Sequence, residues 1–193
     1  MTVDSDLPFP LGHGSVILTS RHGQAVRIRH ILPEDAGLLV DLYKQLSPET
    51  RRLRFLSPLP ELPDEILWPE AMRLSNINPL VEAALIGIVC DSTPEQSIGV
   101  ARLARYEADA AVAEVAIVLR DDYQGQGLGT QLFDLLLQVA LVRGLKQLQA
   151  VTLAENAAMR RLVRNSGLPF KHATSYGETT ITITLTDDTA LAP

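Results

Sequence analysis

Apolar residues change their rhythm along this chain, and the changes mark out its elements. Residues 15–19 and 24–29 are two short runs with alternating or β-branched residues. They flank a turn-sized gap at Arg21, His22 and Gly23, which predicts a β-hairpin. Leu38, Leu39, Leu42 and Leu46 then recur at helical spacing behind Pro33, Glu34 and Asp35, a suitable first turn, so residues 31–44 read as a helix. Ser47 and Pro48 read as the N-cap and first position of a shorter helix to about Leu56, and a third is expected over residues 63–74. Beyond Pro79 the apolar runs become long and rich in Val, Ile and Leu. Residues 80–90, 98–105 and 112–119 predict three consecutive antiparallel strands.

The helical period returns over residues 128–142, where Leu132, Phe133, Leu136, Leu137, Val139 and Ala140 share a face, and Gly144 closes the helix. A strand over 148–153, a helix over 156–166 and an alternating Thr/apolar strand over 179–185 complete the order. No strand is predicted between residues 167 and 178. The sum is an α/β (α+β) domain, with helices packed on a central mixed, mostly antiparallel sheet. Residues 15–186 are expected to form this single domain, with a loose arm at 1–14 and a tail at 187–193.

Composition narrows the class. Hydrophobic residues are 46% and charged residues 21%, as in a packed globular chain. The net charge of −6 lacks the basic footprint that nucleic-acid binding requires. No apolar run approaches the roughly 20 residues that span a bilayer, and residues 1–11 lack the order of a signal peptide. The expectation is a cytoplasmic protein that binds neither membrane nor nucleic acid. A single cysteine, Cys90, excludes an internal disulfide and reads as a small buried hydrophobe. Four scattered histidines show no metal-ligand spacing, so no metal is expected.

The chemistry concentrates in Glu114-Val-Ala-Ile-Val-Leu-Arg-Asp-Asp-Tyr-Gln124-Gly-Gln-Gly-Leu-Gly129-Thr130. A buried strand runs into a turn with glycines at alternate positions, and a helix begins at once. Glycines allow positive φ and close approach of the backbone, and the free N–H groups of a helix N-terminus attract an anion. The segment therefore reads as a phosphate cradle, with a ligand-free glycine turn as the alternative. No lysine follows the glycines as in a P-loop, and Thr130 stands where a dinucleotide fingerprint needs its third glycine.

Gln124-x-x-Gly127-x-Gly129 resembles the Gln/Arg-x-x-Gly-x-Gly/Ala signature of the GNAT acetyltransferases. Leu153-Ala-Glu-Asn156-Ala-Ala-Met159-Arg-Arg-Leu162 with Asn165-Ser-Gly167-Leu is similar to the family's next strand, its Asn turn and the helix after it. The likeness runs from about Gln24 to Leu185. A finer one joins Ile28-Arg-His-Ile-Leu-Pro-Glu-Asp-Ala36 and Leu46-Ser-Pro-Glu-Thr-Arg-Arg-Leu-Arg-Phe55 to the Pat-type protein lysine acetyltransferases. At this length the expectation is a domain without the cyclic-nucleotide or synthetase-like partner fused to many of them.

The resemblance implies the GNAT fold, acetyl-CoA as cosubstrate, and direct transfer of the acetyl group to an amine in a ternary complex. Gln124, Gly125, Gln126, Gly127, Leu128, Gly129 and Thr130 would donate backbone N–H groups to the pyrophosphate. Ile117, Val118 and Leu119 would pair by backbone with the pantetheine arm, one N–H polarising the thioester carbonyl. Glu114 would be the general base. It stands in an otherwise apolar strand, where a carboxylate is costly unless it meets a cleft or a partner, and partial burial would strengthen it as a base. A solvent-facing glutamate on an alternating strand is the other reading.

Asn156 would contact the pantetheine or, equally, serve as an N-cap. Tyr176, in Ser-Tyr-Gly, suits a turn and is given no role. The implied acceptor is a protein lysine, such as one on an acyl-CoA synthetase. A small-molecule amine acceptor, a non-catalytic acyl-CoA sensor and a homodimer all remain open.

Overall fold

The computed structural model describes Phe9, Pro10, Gly12 and residues 14–185. The expected tail and most of the expected arm lie outside these residues.

Eight strands form one sheet in the order β1-β2-β3-β4-β5-β6-β8-β7. The expected hairpin is β1 (Ser15–Thr19) and β2 (Ala25–His30). The three apolar runs are β3 (Glu82–Val89), β4 (Ser97–Arg105) and β5 (Val112–Leu119), antiparallel in succession as predicted. β6 (Gln147–Leu153) lies parallel to β5, the one parallel pairing among the described residues, and β8 (Glu178–Thr184) returns antiparallel to β6.

β7 (Phe170–Ser175) was not predicted. All six of its residues are exposed, so no apolar alternation marks it. It exists through backbone pairing with β8, aided by a 2.8 Å hydrogen bond between the Thr174 and Thr179 hydroxyls. Tyr176 and Gly177, both at positive φ, make the tight turn between them.

Helices cover both faces of the sheet's centre. α4 (Leu128–Val142) and α5 (Ala157–Asn165) lie on one side, and α1 (Ala36–Gln45) and α3 (Asp64–Ser75) on the other. α2 (Pro48–Phe55) lies against β5 and β6. This two-sided cover explains the unbroken apolar runs. Ala83 and Leu85 of β3 join the core around Phe133 and Leu136 of α4, whereas Ala84, Ile86 and Ile88 join that around Leu42 and Leu46.

The first predicted helix is divided. Pro33–Asp35 forms a 3-10 turn before α1 begins at Ala36. There Asp35 takes two hydrogen bonds from Arg29, at 2.6 and 2.7 Å, and one from the Leu32 N–H at 2.8 Å. The Asp35 side chain is 5% exposed, so its removal would leave a poorly solvated guanidinium unpaired. Asp35→Ala should therefore lower the unfolding free energy by about 3 kcal/mol, read from urea denaturation. A change within 0.5 kcal/mol would mean that Arg29 finds water instead. Cys90 departs from expectation: it follows the end of β3 and is exposed.

Candidate active site

The site begins with a split in the sheet. β4 pairs with β5 from Arg105↔Ala113 to Gly99↔Leu119, but β6 pairs with β5 only at Val112, Ala113 and Glu114. From Val115 to Leu119 the edge of β5 facing β6 therefore has no strand partner. Buried backbone groups need partners, so this edge is laid open for a ligand that can supply them. In an antiparallel ladder successive residues turn their N–H and C=O groups to opposite edges. Arg120 donates to the Ile98 carbonyl at 2.8 Å, so Ile117 and Leu119 turn their backbone groups to the split and Val118 turns its own to β4. Of the three residues expected to pair through the main chain, Val118 instead contributes a side chain. Ile117 and Leu119 pack toward α4 and Val118 toward α1, as alternation along a strand requires.

The split opens into a cleft of about 400 Å³, whose strand wall includes Ile117, Val118 and Leu119. At its end, Gly127 caps α4 at φ 86°, a left-handed conformation that glycine accepts without steric cost. Gly125, at φ 71°, turns the same way. The N–H groups of Gly125 through Thr130 have no backbone acceptor among the described residues, as expected where a first helical turn starts. Gln124, Gly125, Gly127, Gly129 and Thr130 line the cleft. Gln126 and Leu128 turn their side chains elsewhere. The Gln126 amide donates to the Asp122 carbonyl, and Leu128 is 2% exposed in the core, so only their main chains face the turn.

The other walls come from elements that the sequence reading did not connect to the site. Arg21, in the β1–β2 turn, donates its N–H to the Gln126 carbonyl at 3.1 Å. Its side chain runs beside Gly127, within 3.6 Å of where a Cβ would stand, and so adds a guanidinium to the glycine turn. Thr50, Leu53 and Arg54 of α2 form a second wall. Their i, i+3, i+4 spacing puts them on one helix face, a signal present in the sequence but carrying no address. Ala158, Arg161, Leu162 and Asn165 of α5 make the third wall on the same principle.

Polar contacts hold α2 over the split. Asp121, between β5 and the glycine turn, accepts from the Ser47 N–H at 2.9 Å and from the Ser47 and Thr50 hydroxyls, each at 2.7 Å. Desolvation opposes this carboxylate's charge, but these bonds outweigh it and hold its pKa below the ordinary value. Gln124 donates its amide to the Leu119 carbonyl at 3.0 Å and to the Thr50 hydroxyl at 3.2 Å, joining strand end, turn and helix. Arg52 reaches across to Glu155 after β6.

Asn156 lines the cleft and also caps α5, its side-chain oxygen accepting from the Met159 N–H at 3.0 Å. The N-cap reading holds, and the side-chain amide nitrogen has no hydrogen-bond partner among the described residues. Glu114 is exposed, so the partial burial expected of it is absent. It stands at the last β5–β6 pair, where the split begins, on the same face of β5 as Ala116 and Val118. Arg54 of α2, half-buried, feels the charge of Glu114. Burial lowers the pKa of that guanidinium, and the Glu114 charge works in the opposite direction.

An open strand edge, a row of free N–H groups and nearby guanidinium groups suit a long ligand with amides in its middle and phosphates at one end. That is the chemistry of coenzyme A. Comparison with known proteins agrees. Residues 25–169 match the acetyltransferase (GNAT) domain family. The chain is 32% identical over 140 residues to the acetyltransferase PA5475 of Pseudomonas aeruginosa, covering 72% of this chain and 73% of that one. It is 30% identical over 151 residues to the acetyltransferase Pat of Mycolicibacterium smegmatis, covering 76% of this chain but 42% of that longer protein. Among solved structures, the GNAT domain of S. lividans PAT superposes with a TM-score of 0.77 at 26% identity, covering 89% of this chain and 97% of that domain. The chain belongs to the GNAT family and is an acetyl-CoA-dependent N-acetyltransferase.

Proposed function

We propose that the cleft holds acetyl-CoA with its pyrophosphate at the Gln124–Thr130 turn and its pantetheine arm along β5, and that the acceptor is the amine of a protein lysine. The observation that carries the cofactor reading is the unpaired edge of β5 leading directly into the free N–H groups before α4. Acetyl-CoA supplies an acyl group activated as a thioester. The protein's part is to align it, to take a proton from the incoming ammonium and to stabilise negative charge on the carbonyl oxygen. The backbone N–H groups of Ile117 and Leu119 are the donors for this alignment. Arg21 and Arg161 add charge toward the phosphates.

Glu114 is the proposed base. It is exposed at the mouth of the split, so it would work through a water chain or on an amine arriving from solvent. Glu114→Gln is expected to lower kcat about a hundredfold or more while leaving acetyl-CoA affinity unchanged. Single-turnover assays beside calorimetry would separate the two, and an unchanged kcat would move the base elsewhere.

The similarity to Pat proteins supports a protein lysine as acceptor, and acyl-CoA synthetases are the first candidates for a screen. Robust turnover of free amines with none on such proteins would favour the small-molecule reading. A protein that binds acetyl-CoA yet acetylates nothing would be the sensor. Cytoplasmic location and a homodimer are part of the same proposal. Among the described residues no helix is long and apolar enough to cross a membrane.

A further inference from the structure

A second cavity, of about 290 Å³, lies on the other side of β5 beneath α1, α2 and α3. Leu42 of α1, Leu46 at the C-terminal cap of that helix, and Leu67 and Ala71 of α3 contribute to its walls, and Ala116 and Val118 of β5 to its floor. It meets the cofactor cleft at two residues that line both, Val118 and Arg54. Val118 sits between the two residues whose backbone groups face the split, so the junction opens where the thioester of a bound CoA derivative would lie. The place given to the thioester rests on the binding mode proposed above for acetyl-CoA.

We propose that this cavity is an acyl chamber, which receives the alkyl part of acyl groups longer than acetyl, so that the donors of this enzyme include medium-chain acyl-CoAs. Three observations select that occupant. The walls are predominantly aliphatic and aromatic, which favours an alkyl chain by removal of its surface from water. The charged groups at the far end are already engaged: Glu70 with Arg73, and Arg102 with the Leu74 carbonyl at 2.9 Å and with Glu82 at 3.5 Å. A chain ending in a carboxylate would find no free partner there. At the throat, the Arg54 guanidinium makes no hydrogen bond or ion pair among the described residues and lies 5.3 Å from the Phe55 ring. An acceptor entering as an ammonium would have to pass this like charge, whereas a neutral chain would not. The chemistry is otherwise that of acetyl transfer: the acyl-carbon–nitrogen bond forms, the carbon–sulfur bond of the thioester breaks, and CoA leaves as its thiol.

The test is calorimetric titration of CoA, acetyl-CoA, butyryl-CoA and hexanoyl-CoA into the wild type and into two variants that fill the chamber, Ala71→Phe and Leu59→Trp. Leu59 belongs to the α2–α3 connection, so its variant keeps the test open should Ala71→Phe fail to fold. Burial of each methylene can tighten binding up to about fourfold, and hexanoyl-CoA is expected to bind the wild type at least ten times more tightly than acetyl-CoA. The filled variants should lose that gain and keep the wild-type affinity for acetyl-CoA. Affinity that stays flat or falls with chain length, or a gain that survives in a folded filled variant, overturns the chamber while leaving the cofactor cleft standing. Failure of every thioester to bind overturns both.

Discussion

Gly127→Glu should weaken acetyl-CoA binding by at least about a hundredfold while the protein stays folded. The position is at φ 86°, which costs an L-residue about 1–2 kcal/mol, but a carboxylate at a helix N-terminus recovers part of that loss. Steric conflict with the protein is slight, since the nearest atom to a Cβ there is the Arg21 Nε at 3.6 Å. The damage falls on the ligand. The new carboxylate would compete with the pyrophosphate for the free N–H groups and for Arg21. Hydrogen bonds to a charged group contribute about 1.5–3 kcal/mol each, and the loss of two accounts for the expected effect. Calorimetry with a parallel thermal melt measures both quantities. Gln126→Ala is the contrast: its side chain bonds the Asp122 carbonyl and takes no part in the cleft, so affinity should change by less than threefold. Wild-type affinity in Gly127→Glu would remove the phosphate cradle from this turn.

The second large effect is expected at Gly99, a residue no sequence motif marks. It lies on β4 opposite Leu119, and a Cβ there would collide with the Val118 carbonyl and the Leu119 side chain and stand 3.0 Å from the Leu119 Cα. Because backbone atoms are in the way, β4 and β5 would have to part at the point where β5 presents Ile117 and Leu119 to the cleft. Gly99→Ala should therefore cost about 1–3 kcal/mol of stability, as overpacking does, and weaken acetyl-CoA binding about tenfold or more. Both are read from the same melt and titration. A destabilised variant with wild-type affinity would give Gly99 a packing role only. An unaffected protein would mean that the strand end yields freely.

The two glycines differ in how they could be found. Gly127 was legible because its requirement is local: an anion-binding turn between a strand and a helix needs positive φ and free N–H groups, and both follow from neighbouring residues. Gly99 answers to a strand partner distant in sequence, so its surroundings do not announce it. Arg21 is a similar case, a turn residue with no partner in sight until the hairpin is folded against the loop before α4. Glu114 shows the limit of reasoning from cost. A carboxylate in an apolar strand suggested a cleft, and it does stand where the split begins, but exposed and not buried. Cys90 failed in the opposite direction, since an apolar run does not say where along it the core ends.

What the sequence alone determined was whatever depends on near neighbours: the alternation of helices and strands, the antiparallel β3–β5 meander, the glycine turn and the cap of α5 at Asn156. These are set by backbone preferences and by periodicity over a few residues. The tertiary structure alone decided that β5 and β6 part after Glu114, that α2 is held over the gap through Asp121 and Gln124, and that a second cavity opens behind Val118. It also created β7, whose exposed residues carry no pattern and whose stability comes from pairing with β8. Each of these depends on which backbone groups remain unpaired and which surfaces meet once distant segments pack, and no window of the chain contains that information.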